Sequence, residues 1–173
     1  HDDFDHNGGY DSLKDKIEIK QVIEDSNQSV HVDYPFYLLL SERESKDTND
    51  SSLISYFTYD HLTYLFMGDA SKQIEKQLMA TYDLKADVIK VGHHGSNTSS
   101  DPDFLDSLDC KVALISCGYK NKYGHPSVET LKTLENLHIN TLCTSDCGSI
   151  AMYSLFHFSF VVTNDGMFGI IWT

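Results

Sequence analysis

The sequence predicts a single α+β domain in which helices cover the faces of a strand-rich core. Three observations predict it. Runs of β-branched and aromatic residues alternate with segments of helical periodicity. The chain, at 173 residues, suffices for one ordinary core, so residues 1–173 are taken as one domain. Hydrophobic content is 40%, which marks a globular chain rather than a disordered one.

The elements follow in order. The opening His1-Asp2-Asp3-Phe4-Asp5-His6-Asn7-Gly8-Gly9 reads as a turn leading from a strand into a helix. Residues 17–24 (IEIKQVIE) and 34–40 (YPFYLLL) read as strands, and the polar stretch 41–52 as a solvated surface loop. Two further strands, 51–59 and 62–67, are joined by a tight turn at Asp60-His61. Ile74, Leu78 and Tyr82 recur every four residues, which predicts a helix over 71–82. Residues 87–91 (DVIKV) form a short buried-type strand. Asp101-Pro102 supplies an N-cap followed by proline at the first helical position, for a helix to about residue 108. A strand at 111–116 precedes a helix capped by Ser127, with Val128, Leu131 and Leu134 on one face. Strand-like runs at 139–144, 149–162 (broken) and 167–172 finish the chain, with a hairpin turn at Asn164-Asp165-Gly166. There is no internal repeat, linker or low-complexity stretch.

Charge and composition exclude some functions. The net charge of −13 argues against tight non-specific binding of nucleic acid through a basic face. It leaves a phosphodiester substrate open, because bound divalent cations can themselves hold phosphates. No apolar run approaches the roughly 20 residues of a membrane helix. The chain opens on His1, inside a motif and without Met, so further sequence upstream is expected. Cys110, Cys117, Cys143 and Cys147 include no C-x-x-C pair. They read as buried free thiols, with zinc binding by Cys143 and Cys147 only weakly signalled and no disulfide pairing deducible.

Two histidine-rich clusters carry the chemistry. His1, Asp3, Asp5 and His6 fall within six residues, and imidazole and carboxylate both suit zinc and manganese. The alternative is an acidic segment that is merely solvated. Gly68-Asp69 ends an apolar strand, where the carboxylate either caps the next helix or bridges two metals. Gly92-His93-His94-Gly95-Ser96 ends another apolar strand, with one imidazole suited to a metal and the other to a substrate, against the alternative of two solvent-facing loop histidines. His125, within Tyr123-Gly124-His125-Pro126, is suited to substrate positioning or proton transfer. His31, His61, His138 and His157 lack neighbouring motifs and read as ordinary histidines.

The order of these motifs resembles the metallo-β-lactamase superfamily. His1-x-Asp3-x-Asp5-His6-x-Gly-Gly comes first, then Gly68-Asp69-Ala70 and Val91-Gly92-His93-His94-Gly95-Ser96, then Asn121-x-Tyr123-Gly124-His125-Pro126. Ser116-Cys117-Gly118 and Thr144-x-x-x-x-Gly148-x-Ile150 fit as well, so the resemblance runs over the whole chain. Within the superfamily the chain looks most like the hydrolase domain of ComEC-type competence proteins and their stand-alone relatives.

The resemblance implies a four-layer αββα sandwich with a dinuclear site, holding two divalent ions, zinc or manganese, at one edge. By motif, His1 and Asp3 would serve one ion, and Asp5, His6 and His93 the other, with Asp69 bridging. His94 and His125 would face the substrate, and Asp5 joins them as an expected catalytic residue. The implied reaction is hydrolysis of a phosphodiester, single-stranded DNA among the candidates, by a metal-bound hydroxide. Asp3 stands where many members have His, which shifts preference towards harder ions such as manganese. Only His31 and His61 lie where a further ligand to the first ion is often found. The superfamily has strands before the first motif, so this chain is expected to be the C-terminal portion of the fold with its N-terminal strands missing. A second reading is an incomplete or catalytically inactive module with a structural or binding role. A third, hydrolysis of thioesters or lactams, shares the metals but has no distinguishing motif. Membrane helices upstream would place the domain in a DNA-uptake channel; a short strand pair and a Met would make it a stand-alone hydrolase.

Overall fold

The computed structural model describes residues 1–24, 28, 30–40, 47–156 and 158–171. His157, Trp172 and the first half of the expected 41–52 loop lie outside the described residues. The fold is α+β, built on a six-stranded and a three-stranded sheet. β1 (Phe36–Leu39), β2 (Ile54–Tyr59) and β3 (Leu62–Phe66) form an antiparallel meander. β4 (Val88–Lys90), β5 (Val112–Ile115) and β6 (Asn140–Cys143) then add in parallel, each reached through a helical crossover. The second sheet is an antiparallel meander of β7 (Ile150–Leu155), β8 (Phe158–Thr163) and β9 (Phe168–Ile171).

Strand alternation sends the two faces of the large sheet to different partners. Leu65, Ile89 and Ala113 sit in register across β3, β4 and β5. They pack beneath the crossover helices α3 (Lys72–Thr81), α4 (Pro102–Ser107) and α5 (Val128–Asn136), with Ile74, Leu78, Phe104, Leu105 and Leu134 completing that core. On the opposite face Leu62, Tyr64, Val88 and Val112 meet Ile171 and Met152 of the small sheet. The described residues thus form three layers: helices, large sheet, small sheet.

The helix starts follow local chemistry. The Asp101 carboxylate accepts hydrogen bonds from the Asp103 and Phe104 amides, and Ser127 Oγ accepts from Thr130 N at 3.1 Å. Along α5 the apolar stripe is narrower than expected. Leu134 is buried, but Val128 is two-thirds exposed and Leu131 faces solvent. Thr130 takes the second inward position because its hydroxyl donates to Ser96 O at 3.0 Å.

One expected strand is absent. Residues 17–24 form no ladder, and Ile17 and Val22 stay exposed. Alternation alone cannot make a strand without an edge to pair with. Instead the N-terminal segment holds two short helices, α1 (Phe4–Asn7) and α2 (Tyr10–Lys14), neither with a buried residue. The expected broken strand at 149–162 resolves into β7 and β8, with a turn at Phe156.

Candidate metal centre

Three chain segments end at one edge of the large sheet. The first is the turn after β3. Gly68 adopts a left-handed φ of +57°, and an added Cβ would lie 2.6 Å from Ser52 Cβ, so a side chain is excluded twice over. Ser52 Oγ accepts from Asp69 N at 2.9 Å and pins the turn. Asp69 is 4% exposed. It does not cap α3: the cap position is Ser71, and the Asp69 carboxylate points at imidazoles instead.

The second segment follows β4. Both His93 (φ 47°, ψ 47°) and His94 (φ 52°, ψ 24°) are left-handed. Two such non-glycine residues in succession store strain of the kind found at functional sites. Gly92 makes room for this turn, since a Cβ there would meet the Ala70 carbonyl at 2.8 Å. His94 Nδ1 donates to Ser116 O at 2.6 Å, and His93 Nδ1 lies 3.2 Å from Thr98 Oγ1. The third segment is the N-terminus, where a turn of helix brings His1, Asp3, Asp5 and His6 over the same edge.

Asp69 is the meeting point. His6 Nε2 lies 3.2 Å from its Oδ1, and His1 Nε2, His94 Nε2 and His93 Nε2 lie 3.5, 3.6 and 3.9 Å from its Oδ2. His94 Nε2 is also 3.3 Å from Asp5 Oδ2. Two sets of possible ligands result, His1–His6–Asp69 and Asp5–His6–His94, with His6 common to both. The motif resemblance gives Asp5 and His6 the company of His93. The side chain that joins them in space is His94, because the left-handed turn swings the second imidazole inward and leaves His93 beside Thr98. Asp3 is exposed and contacts His1, its Oδ2 3.6 Å from Nδ1.

Polar satisfaction tests whether a cation fits between these groups. His1 Nε2, His94 Nε2 and Asp69 Oδ1 are buried with no hydrogen-bond partner. For His94 the argument is tight. A carbonyl only accepts, so Nδ1 carries the proton facing Ser116, and neutral imidazole then presents a lone pair at Nε2. That lone pair lies 3.3 Å from Asp5 Oδ2 and 3.6 Å from Asp69 Oδ2. It is stable there with a second proton or with a cation, and a nitrogen held by a carbonyl on its far side is the usual arrangement of a metal-bound imidazole. The donor set of imidazole and carboxylate fits zinc or manganese.

Sequence reasoning missed several supporting groups. Lys90 Nζ donates to Gly68 O at 3.0 Å and lies 3.9 Å from Asp69 Oδ1. Burial pulls its pKa down, against the upward pull of Asp69 and Asp5. A lone lysine in the apolar run 87–91 was its available signal. Glu75 is buried beneath the loop after the histidine turn, its carboxylate accepting from Ser100 N at 2.8 Å and Asp101 N at 2.7 Å.

His125 borders the centre, its ring centroid 5.7 Å from that of His93. Asn121 brackets its backbone, accepting from His125 N at 2.9 Å and donating to His125 O at 2.6 Å. Burial, reinforced by His93 and His94, lowers its pKa. Its Nδ1 is buried and has no hydrogen-bond partner. A cleft of about 440 Å³ lies here, lined by Asp3, Asp5, Asp69, His93, His94 and His125, with Ser116 to Gly118 in its wall. His31 and His138 do not reach it, and His61 pairs with Asp60 and the Phe156 carbonyl.

The chain is 36% identical over 120 residues to ComE operon protein 3 of Bacillus subtilis (strain 168), a match covering 68% of this chain and 16% of that protein. It is 30% identical over 171 residues to Competence protein ComA of Neisseria gonorrhoeae, covering 90% of this chain and 24% of the other. These two relatives are competence-related proteins. Recombination protein 2 of Haemophilus influenzae is similar too, at 27% identity over 150 residues, which is 78% of this chain and 19% of that protein. The chain therefore spans about a sixth to a quarter of the length of these relatives. No protein-family model matches it. Among the described residues no helix is long and apolar enough to cross a membrane.

Proposed function

We propose that this chain is a metal-dependent hydrolase acting on phosphodiesters, with single-stranded DNA as the substrate class, in a DNA-uptake setting. The observation that carries the reading is the pair of ligand sets sharing His6, together with the unsatisfied His1 Nε2, His94 Nε2 and Asp69 Oδ1. The three-layer arrangement is compatible with part of an αββα metallo-β-lactamase sandwich. The competence relatives favour a nucleic-acid substrate over thioesters or lactams.

His1, His6 and Asp69 would hold one ion, and Asp5, His6 or Asp69, and His94 the second. Two divalent ions when bound supply Lewis acidity and lower the pKa of a water. The chain's own residues do the rest. Ser116 O fixes the tautomer of His94, and Thr98 orients His93. Lys90 offsets part of the negative charge on Asp69 from below. His125, whose pKa burial lowers, borders the cleft where a scissile phosphodiester would sit and offers a proton acceptor there. The acidic surface disfavours duplex retention, so a short single strand suits the cleft better.

A second reading is a binding module without catalysis. The exposure of Asp3 and Asp5 favours it, because such ligands lose much of their affinity to solvation. Metal content separates the two readings. The hydrolase should take up close to two manganese or zinc ions per chain and cleave bis-nitrophenyl phosphate and single-stranded DNA. Fewer than one ion per chain after reconstitution, with no turnover, would overturn it.

A further inference from the structure

Cys117, in the wall of the cleft, faces a second, buried thiol, that of Cys143. Cys117 follows β5 and Cys143 ends β6, and their Sγ atoms lie 3.2 Å apart. Their backbones are tied together: Thr144 Oγ1 accepts from Cys117 N and donates to Cys117 O, both at 2.9 Å. Closing the gap to a bonded distance takes an approach of about 1 Å. Cys143 forms the last ladder pair, with Ile115, and Cys117 lies beyond it, outside the strand pairing. The other thiols point elsewhere. Cys147 Sγ donates to Cys143 O at 3.1 Å, and Cys110 Sγ to Val112 O at 3.1 Å.

We infer that Cys117 and Cys143 are a dithiol pair that closes to a disulfide, with Cys117 as the sulfur reached from the cleft. Cys117 is half-buried and lines the cleft, whereas Cys143 is 6% exposed. Burial also pushes the Cys143 thiol up, which makes it the poorer first nucleophile. The oxidant class is a small disulfide. Cys117 as thiolate attacks one of its sulfurs, the S–S bond breaks, and one thiolate leaves. Cys143 gives its proton to solvent, attacks Cys117 Sγ and expels the second thiolate. The protein loses two electrons and two protons, and the oxidant ends as two thiols. The bond fastens the residue next to Ser116, whose carbonyl holds His94.

Excess glutathione disulfide, added to the folded protein and followed by blocking of free thiols, denaturation and peptide mapping, tests this. Two of the four cysteines should be lost as a cross-linked Cys117–Cys143 peptide pair. The bridged protein should melt roughly 5–10 °C above the reduced one. Cys143→Ser should stop at a glutathione adduct on Cys117, while Cys117→Ser should leave Cys143 unmodified. Four free thiols in the wild type, or a bridge through Cys110 or Cys147, overturns the pairing. The wild-type map decides even where a serine variant does not fold, and it reads thiols only, so it is independent of hydrolysis.

Discussion

The two halves of the candidate centre are built differently. Asp69, His93 and His94 stand on turns that end buried strands, each turn fixed by hydrogen bonds with Ser52, Lys90, Thr98 or Ser116. Asp5 and His6 stand on a one-turn helix with no buried residue, with His1 and Asp3 just before it, and this segment approaches Asp69 and His94 through imidazole–carboxylate contacts. One half is held by the fold, and the other by its side-chain contacts to that half. A cation is therefore expected to order the N-terminal half, while the sheet half stays in place without it.

The largest effect should come from removing the group both halves share. Asp69→Ala takes away the carboxylate within 4 Å of four imidazoles. Losing even an outer-shell partner commonly costs 10–100-fold in metal affinity or activity, so the loss here should exceed roughly 100-fold. Asp3→Asn, in the exposed half and outside both ligand sets, should cost less than about tenfold. Metal titration monitored by calorimetry measures both. Equal losses would erase the distinction between the halves.

Next comes the backbone beneath the histidine turn. Gly92→Ala drives a Cβ to within 2.8 Å of the Ala70 carbonyl, a backbone atom with little freedom to retreat. Overpacking of this kind costs roughly 1–3 kcal/mol. The variant should melt several degrees lower and bind metal more weakly, because Ala70 adjoins Asp69. Thermal melts in the absence of metal isolate the first effect. A wild-type Tm would show that the turn can shift without penalty.

How much of this was legible in the sequence depends on the half. Apolar runs that stop abruptly at Gly68-Asp69 and Gly92-His93-His94 announce strand ends, and the helices between the strands follow from their periodicity and caps, whereas the parallel direction of β3 to β6 does not. Which histidine turns inward was not legible, because it depends on two left-handed residues in a row. Lys90 and Glu75 were hidden for a related reason: their roles lie in contacts to backbone groups distant in the chain. In the N-terminal half the alternation at 17–24 misled, since pattern shows amphipathicity but not the presence of a partner edge.

Glu75 makes a smaller, pH-dependent difference within the sheet half. Burial raises its pKa to about 7, although the Ser100 and Asp101 amides favour the ionised form. A carboxyl raised above its unfolded value stabilises most below the unfolded pKa, and that contribution is lost as pH rises through the folded one. Between about pH 4.5 and 7 the wild type should therefore lose stability relative to Glu75→Gln, with a slope approaching 1.4 kcal/mol per pH unit at most. Denaturant midpoints across that range measure it. Parallel curves would mean that the two amides keep Glu75 ionised throughout.

The smallest effect belongs to the N-terminal half. Gly9 has φ −82° and ψ −14°, a conformation open to any residue, and an added Cβ meets nothing within 4 Å. Alanine there restricts the unfolded chain, which favours folding by a few tenths of a kcal/mol. Alanine is also a poorer N-cap than glycine, and Gly9 is the N-cap of α2, which offsets the gain. Gly9→Ala should thus leave stability within about 0.5 kcal/mol and metal affinity unchanged, in contrast to Gly92→Ala. If instead Gly9→Ala lowers Tm or metal affinity as Gly92→Ala does, the N-terminal segment is fitted as tightly as the histidine turn. The centre would then be one rigid body rather than a fixed half and a half that closes on its cation.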